Sequence, residues 1–320
     1  MREPYRKTGL LLVFHLFLAL LSVSCRTLSP LAATQETASV KFRTPEGILP
    51  QWRPFAENVC RGIDYFAGSI QEPRLRFWAL RVDLTEPALR IVVSGKEQAE
   101  GGKNNDRIDG IISSTKISSF VRRYDCLAGI NTSPFSPVSG KEGEARTIEG
   151  ITVSEGRVVA LPDTRFDALV FYAGGKAAIV SQAGLSVSDT ESADGNIRNA
   201  VGGFHRVLQD GAVPESALMR GNTRHPRSAA GISSCGRFLY LLVIDGRQFG
   251  SIGAAEAETG IILQKLGAAN GLNLDGGGST ALALKYPDGK VRTVNTPVHG
   301  GIPGRERAVA ACLGIALNME

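Results

Sequence analysis

The stretch Phe238-Leu-Tyr-Leu-Leu-Val-Ile-Asp-Gly-Arg247 is an unbroken apolar run that stops at an Asp-Gly pair. An apolar run of this length without polar alternation predicts a strand covered on both faces. Downstream, a helix is predicted from about Gly253 to Leu266. Ala255, Ile262 and Leu266 share one face there, and Gly267 stands at the C-cap position. Leu272 to Leu274 is a second, shorter strand. It runs into Asp275-Gly-Gly-Gly-Ser-Thr280. Strand, acid, helix, strand, acid forms a βαβ-like unit. It brings Asp245 and Asp275 to one sheet edge, the carboxyl ends of strands where ligands of open sheets collect.

Outward from this unit the chain is mostly strands. Arg74 to Val82, Leu89 to Val93, Ile151 to Val153, Arg157 to Leu161 and Ala168 to Tyr172 carry β-branched and aromatic residues between Gly and Pro breaks. Cys126 to Ile130 is a short buried strand that delivers Asn131 at its end. Ala281 to Leu284 and Val291 to Val294 flank Pro287-Asp-Gly289 as a hairpin. Val309 to Leu317 is a last, central strand. Ser113 to Arg123 is predicted as a helix with Ser114 as N-cap. Thirty-seven glycines suit a fold with many tight turns. The expected class is α+β, with mixed, strand-rich β-sheets flanked by a few helices. A single catalytic domain over 71–320 is expected, after a linker and approach over 25–70.

A hydrophobic share of 43% and a charged share of 21% describe an ordinary globular protein. The net charge of +5 is scattered, with no Lys/Arg stripe interleaved with aromatics, so nucleic acid is not an expected partner. The first residues are basic, and the apolar run Leu10 to Leu21 is too short to span a bilayer comfortably. Small residues follow up to Cys25, so residues 1–24 read as an export signal. Three readings of the junction stand. Cys25 is acylated and tethers a lipoprotein to the membrane, or cleavage is ordinary, near Ser24 or after Ala33, or the segment is retained as an uncleaved anchor. The expected location is the bacterial cell envelope, periplasmic or membrane-anchored. Cys60, Cys126, Cys235 and Cys312 are too widely spaced for zinc patterns. Export permits disulfides among them, and buried thiols suit Cys126 and Cys312 equally well. No metal constellation stands out and no cofactor is expected.

Gly276, Gly277 and Gly278 let a backbone approach a ligand closely, and their N–H groups, with Ser279 and Thr280, suit an anionic oxygen. The bland alternative is a Gly-rich turn in which Asp275 caps its own backbone. No Walker lysine follows, so a nucleotide loop is disfavoured.

The segment Leu272 to Thr280 resembles the signature of the phosphodiester glycosidase family. His225-Pro-Arg-Ser-Ala-Ala-Gly-Ile232, Leu241 to Arg247, Ala200-Val-Gly-Gly203 with Leu208 to Gly211, and Ile130-Asn131 with Phe135 resemble further family segments in the same order. The resemblance spans roughly residues 75 to 317. It implies an exported hydrolase that cuts the glycosidic bond of a sugar-1-phosphodiester, with an envelope glycan or related glycoconjugate as substrate. Arg227 and Arg247 are the candidates to hold phosphate in a planar, charged fork. Asp245 and Asp275 would meet the oxocarbenium-like carbon. His225 could move a proton, and Asn131 could hold a hydroxyl or phosphate. Glu149 is a reserve acid; His205 and His299 are weaker candidates. After Asn131 the chain has Thr132-Ser-Pro134 where the family usually has two glycines, which alters a pocket wall. The competing expectation is a non-catalytic phosphosugar-binding or glycan-binding lipoprotein.

Overall fold

The apolar run that ends at Asp245 is an interior strand of a seven-stranded sheet. The computed structural model describes residues 50–55, 61–95, 108–138, 141–186 and 197–318. The export signal, Cys25 and Cys60 lie outside the described residues. Strands are numbered along the chain. The sheet order is β1 (Arg53–Pro54), β2 (Ile63–Ile70), β3 (Leu75–Asp83), β16 (Phe238–Ile244), β15 (Arg227–Ile232), β17 (Asn270–Asn273) and β14 (Arg206–Leu208). On β16, Leu241 faces Leu80 of β3 on one side and Ala230 of β15 on the other. Leu241 and Val243 enter one apolar layer, and Leu242 and Ile244 the other. Both faces are therefore covered, and no polar residue interrupts the run.

β15 is antiparallel to both β16 and β17, so those two strands are parallel with β15 between them. Their connection is helix α3 (Glu256–Leu266), which lays Ile262, Leu263 and Leu266 on the layer holding Phe77 and Leu242. Gly260 lets the helix settle on β14, since a Cβ there would stand 1.9 Å from the Val207 carbonyl oxygen. Gly267 ends the helix at φ 110°. The helix starts three residues later than the sequence predicts, because Ala254 is held in a backbone bridge to His225. The Glu258 carboxylate then accepts the Ala255 N–H at 2.9 Å.

Against the opposite face of the large sheet pack two five-stranded sheets. One has the order β19 (Val291–Thr293), β18 (Leu282–Lys285), β6 (Cys126–Asn131), β20 (Cys312–Leu317) and β4 (Leu89–Val93). The other runs β10 (Arg157–Ala160), β9 (Thr152–Ser154), β13 (Ile197–Gly202), β11 (Asp167–Tyr172) and β12 (Ala177–Ser181). Ile130, Leu313 and Ile315 from the first and Leu169, Phe171 and Val201 from the second join Leu80, Leu241 and Val243 in one core. Helix α1 (Ile117–Arg123) covers the far face of the first sheet through Phe120 and Val121. A small sheet, β5 (Ile111–Ser113), β8 (Ala145–Ile148) and β7 (Phe135–Ser136), adjoins it. Helix α2 (Glu215–Met219) is short. The class is strand-rich α+β with few helices.

Two boundaries differ from the sequence reading. β2, read as part of the approach, pairs along its whole length with β3. The helix expected from Ser113 begins at Ile117: Ser113 ends β5, and the Ser114 hydroxyl donates to the Lys141 carbonyl at 3.1 Å instead of capping. Cys126 and Cys312 are buried free thiols and Cys235 is an exposed one. Among the described residues no helix is long and apolar enough to cross a membrane.

Candidate active site

β16 and β17 end, and β15 begins, at the same edge of the large sheet. Pro226, just ahead of β15, is wedged between the two Asp-Gly turns. A Cβ on Gly246 would fall 2.6 Å from the Pro226 nitrogen, and one on Gly276 would fall 2.7 Å from its oxygen. Gly277 N–H donates to that oxygen at 2.8 Å. Only glycine permits this approach, so the turn chemistry of the sequence is also what draws the two loops together.

The two acids have different surroundings. Asp245 is fully buried. Its carboxylate accepts from Arg76 Nη2 at 3.2 Å, the Thr296 N–H at 2.9 Å and Asn295 Nδ2 at 3.4 Å. Burial raises its pKa, against the pull of those donors and of the Arg76 charge. Asp245 therefore fastens β16 to β3 and to the segment 295–296. The two acids sit on adjacent Asp-Gly turns around Pro226, and of the two only Asp275 is partly exposed.

Asp275 is partly exposed. Its N–H donates to the Thr132 carbonyl at 2.7 Å, and its own carbonyl accepts from Asn131 Nδ2 at 2.6 Å. Asn131 Oδ1 accepts from the Ser228 hydroxyl at 2.7 Å and the Ala281 N–H at 3.2 Å. The Asn131 amide is thus occupied in clamping β6 to the glycine turn. The Asp275 carboxyl is pushed up to about 6, by burial first and by the Glu149 charge as well. The Ser279 hydroxyl, Arg307 and the Gly276 N–H hold it down from going further.

Two guanidinium groups flank the turn. That of Arg247 lies 3.3 Å from where a Gly277 Cβ would stand, and that of Arg307 lies 2.5 Å from a Gly278 Cβ. Arg307 also donates to Ser279 Oγ at 3.1 Å, so a chain of contacts runs from Arg307 through Ser279 to Asp275. Each arginine is backed by a histidine: Arg247 contacts His225 Nδ1 at 3.3 Å, and Arg307 contacts His299 Nδ1 at 3.0 Å. A guanidinium only donates, so both rings accept at Nδ1 and carry their proton on Nε2. Burial first, then the neighbouring arginines, depresses both histidines and keeps them neutral. His225 thus orients Arg247 and offers an Nε2–H donor; it holds no spare proton.

Other expected residues point elsewhere. Arg227 donates from Nε to the Ala254 carbonyl at 2.9 Å and lies 3.6 Å from Glu256, stapling β15 to the start of α3. Thr280 is buried, its carbonyl held by Asn295. The His205 ring stands edge-on to Phe166 at 5.9 Å, and its carbonyl accepts from Asn273. Asp275, Gly276–Ser279, Arg247 and His225 do come together. Arg307 was missed; the available signal was two arginines in a Gly/Pro loop just ahead of the last strand. The hydroxyls of Thr132, Ser133 and Thr280 and the Asn273 Oδ1 are buried without a protein partner. A side-chain-free turn between two fixed cations, beside a carboxyl near pKa 6, is suited to binding a phosphate next to a reacting carbon.

No curated protein sequence matches this chain significantly. Among solved structures, the chain is similar to the zebrafish N-acetylglucosamine-1-phosphodiester α-N-acetylglucosaminidase catalytic domain, auto-inhibited by its pro-peptide. The identity is 17% and the TM-score 0.59, over 84% of this chain and 88% of that one. A hypothetical protein from Synechocystis matches at 15% identity and TM-score 0.54, over 80% of this chain and 62% of its own. A Burkholderia pseudomallei protein described as exported matches at 16% identity and TM-score 0.50, over 76% and 74%. These likenesses show a shared fold. The family model for phosphodiester glycosidase matches residues 124–316, which hold Asn131, both Asp-Gly turns and Arg307. With more than half of its length matched, the chain belongs to the phosphodiester glycosidase family of hydrolytic enzymes.

Proposed function

We propose that this enzyme hydrolyses the bond between the anomeric carbon and the phosphate oxygen of a sugar-1-phosphodiester in an envelope glycan or related glycoconjugate. The observation that carries the reading is the glycine turn between Arg247 and Arg307 with Asp275 beside it. The two guanidiniums hold the phosphate oxygens over the side-chain-free turn and balance the charge that grows as phosphate leaves. Ionised Asp275 stabilises the oxocarbenium-like carbon. The C–O bond breaks with its electron pair going to the phosphate. Water adds to the carbon and loses a proton. The neutral histidines steady the arginines.

Location outside the cytoplasm is part of the same proposal. It rests on the basic start, the Leu10 to Leu21 run and the small residues before Cys25. Mass spectrometry of the native N-terminus tests it: an intact Met1 start refutes cleavage, and a Cys25 start without acyl mass refutes lipidation alone. The reaction is tested with a panel of aryl and UDP-linked sugar-1-phosphates in 18O-water. Free sugar carrying 18O is the expected product. Sugar-1-phosphate in its place would mean P–O cleavage and would overturn the reading.

A further inference from the structure

Glu149 follows β8 at the rim of a cavity of about 460 Å³, lined also by Asp109, Asp163, Gly110, Gly150 and Leu161. Glu149 is partly exposed. Its backbone is fixed, the N–H donating to the Pro134 carbonyl at 2.8 Å. Two positions earlier on that same segment, the Thr132 carbonyl receives the Asp275 N–H. Residues 132–134 therefore join the two acids, and Thr132 and Ser133 add buried hydroxyls with no protein partner. Among the described residues nothing donates a hydrogen bond to the Glu149 carboxylate. The other acids of the cavity are engaged: Asp163 binds the Arg165 guanidinium at 2.6 Å, and Asp109 accepts the Ile111 N–H at 3.0 Å.

The Asp275 carboxyl feels opposite charges from Arg307 and from Glu149. The two arginines stand at the glycine turn, whereas Glu149 stands at the cavity, whose lining includes neither arginine. An anion is drawn to the arginines and repelled by Glu149. An uncharged polyhydroxyl group has the reverse preference, because carboxylates accept hydrogen bonds from hydroxyls.

We infer that Glu149 is a second catalytic carboxylate of this site, and that the cavity at its side receives the sugar while the arginines receive the phosphate. Glu149 takes the proton of the attacking water as the water oxygen bonds to the anomeric carbon. The C–O bond to phosphate breaks, its electron pair leaves with the phosphate, and Asp275 keeps its charge throughout. Glu149 and Asp275 thus form the acid pair that the sequence suggested for Asp245 and Asp275. The inference rests on the phosphodiester reading above.

The test uses Glu149→Gln and Glu149→Ala in the full chain, with UDP-N-acetylglucosamine and an aryl sugar-phosphodiester as probes. Both variants should keep the wild-type melting temperature, since only the backbone of Glu149 holds structure. Turnover should fall about 100- to 10,000-fold, the range of a lost general base. Azide should restore turnover to Glu149→Ala and appear in the product as glycosyl azide, an outcome that a structural role cannot give. In Glu149→Gln, carboxyl 13C NMR should show Asp275 titrating at lower pH than in the wild type, because a like charge has gone. If the wild type releases free sugar and Glu149→Gln does so equally fast, Glu149 is not a catalytic group and the phosphodiester reading survives. If the wild type releases no sugar from any probe, both fall together.

Discussion

At the scale of single residues, Asp275 joins stability to function with opposite signs. Its folded pKa of about 6 lies above the ordinary carboxyl value of 3.8. The folded state therefore binds this proton more tightly than the unfolded chain does. Stability from this group is present below about pH 4 and is lost as pH rises through 6. Under the proposed mechanism activity runs the other way, since there the ionised form meets the sugar carbon: kcat/KM should rise through about pH 6. Asp275→Asn removes the buried charge and is expected to raise the melting temperature at pH 7 to 8, by the equivalent of about 1–3 kcal/mol. Turnover should fall by orders of magnitude with little change in KM. A less stable but fully active variant would mark Asp275 as a turn cap. Arg247→Lys and Arg307→Lys keep a charge but lose the fork, so KM should rise clearly in each. Arg227→Lys should instead lower stability with KM unchanged, because that guanidinium is spent on the Ala254 carbonyl and Glu256. Steady-state kinetics and thermal melts on the same preparations separate the cases. Sequence alone could not divide Arg227 from Arg247. Arg247 is turned toward the glycine loop by a left-handed backbone, φ 57°, and no local pattern announces that.

At the scale of elements, what is local was legible. The apolar run of β16, the glycine that ends α3 and the hairpin β18–β19 follow from period, cap and turn chemistry. What depends on distant partners was not. Asp245 and Asp275 look alike in sequence, each ending a strand before glycine. One is buried because Arg76 and residues 295–296 close over it, and nothing near position 245 says so. The start of α1 shifted for a similar reason, Thr115 being drawn into a bridge with Val309. Two predictions belong here. Asp245→Ala strips the Thr296 N–H of its acceptor and should cost about 1–3 kcal/mol. It should also slow turnover, because segment 295–307 carries Arg307 and His299; urea melts and kinetics read both effects. Gly260→Ala drives a methyl into the Val207 carbonyl at 1.9 Å and should destabilise by about 1–3 kcal/mol or more while the folded fraction stays active.

At the scale of the whole molecule, three sheets meet on one core, and the site sits where their ends converge. Leu242→Ala, under α3 and away from the turn, should cost about 2–5 kcal/mol and leave KM alone. The residues that shape the site come from far apart: Asn131 clamps Asp275 across 144 positions, and Arg76 holds Asp245 across 169. That wiring has a kinetic consequence. Loops of such length must close before any of these contacts forms, so folding should be slow and the site should be the last thing completed. Catalytic power should return in the slowest refolding phase, together with full protection of the β3 and β16 amides from hydrogen exchange, and no compact intermediate should turn over substrate. A chain cut to residues 124–316 would lack β3 and Arg76, leaving β16 with a bare edge and Asp245 short of its cation. It should aggregate on refolding rather than fold as a smaller enzyme.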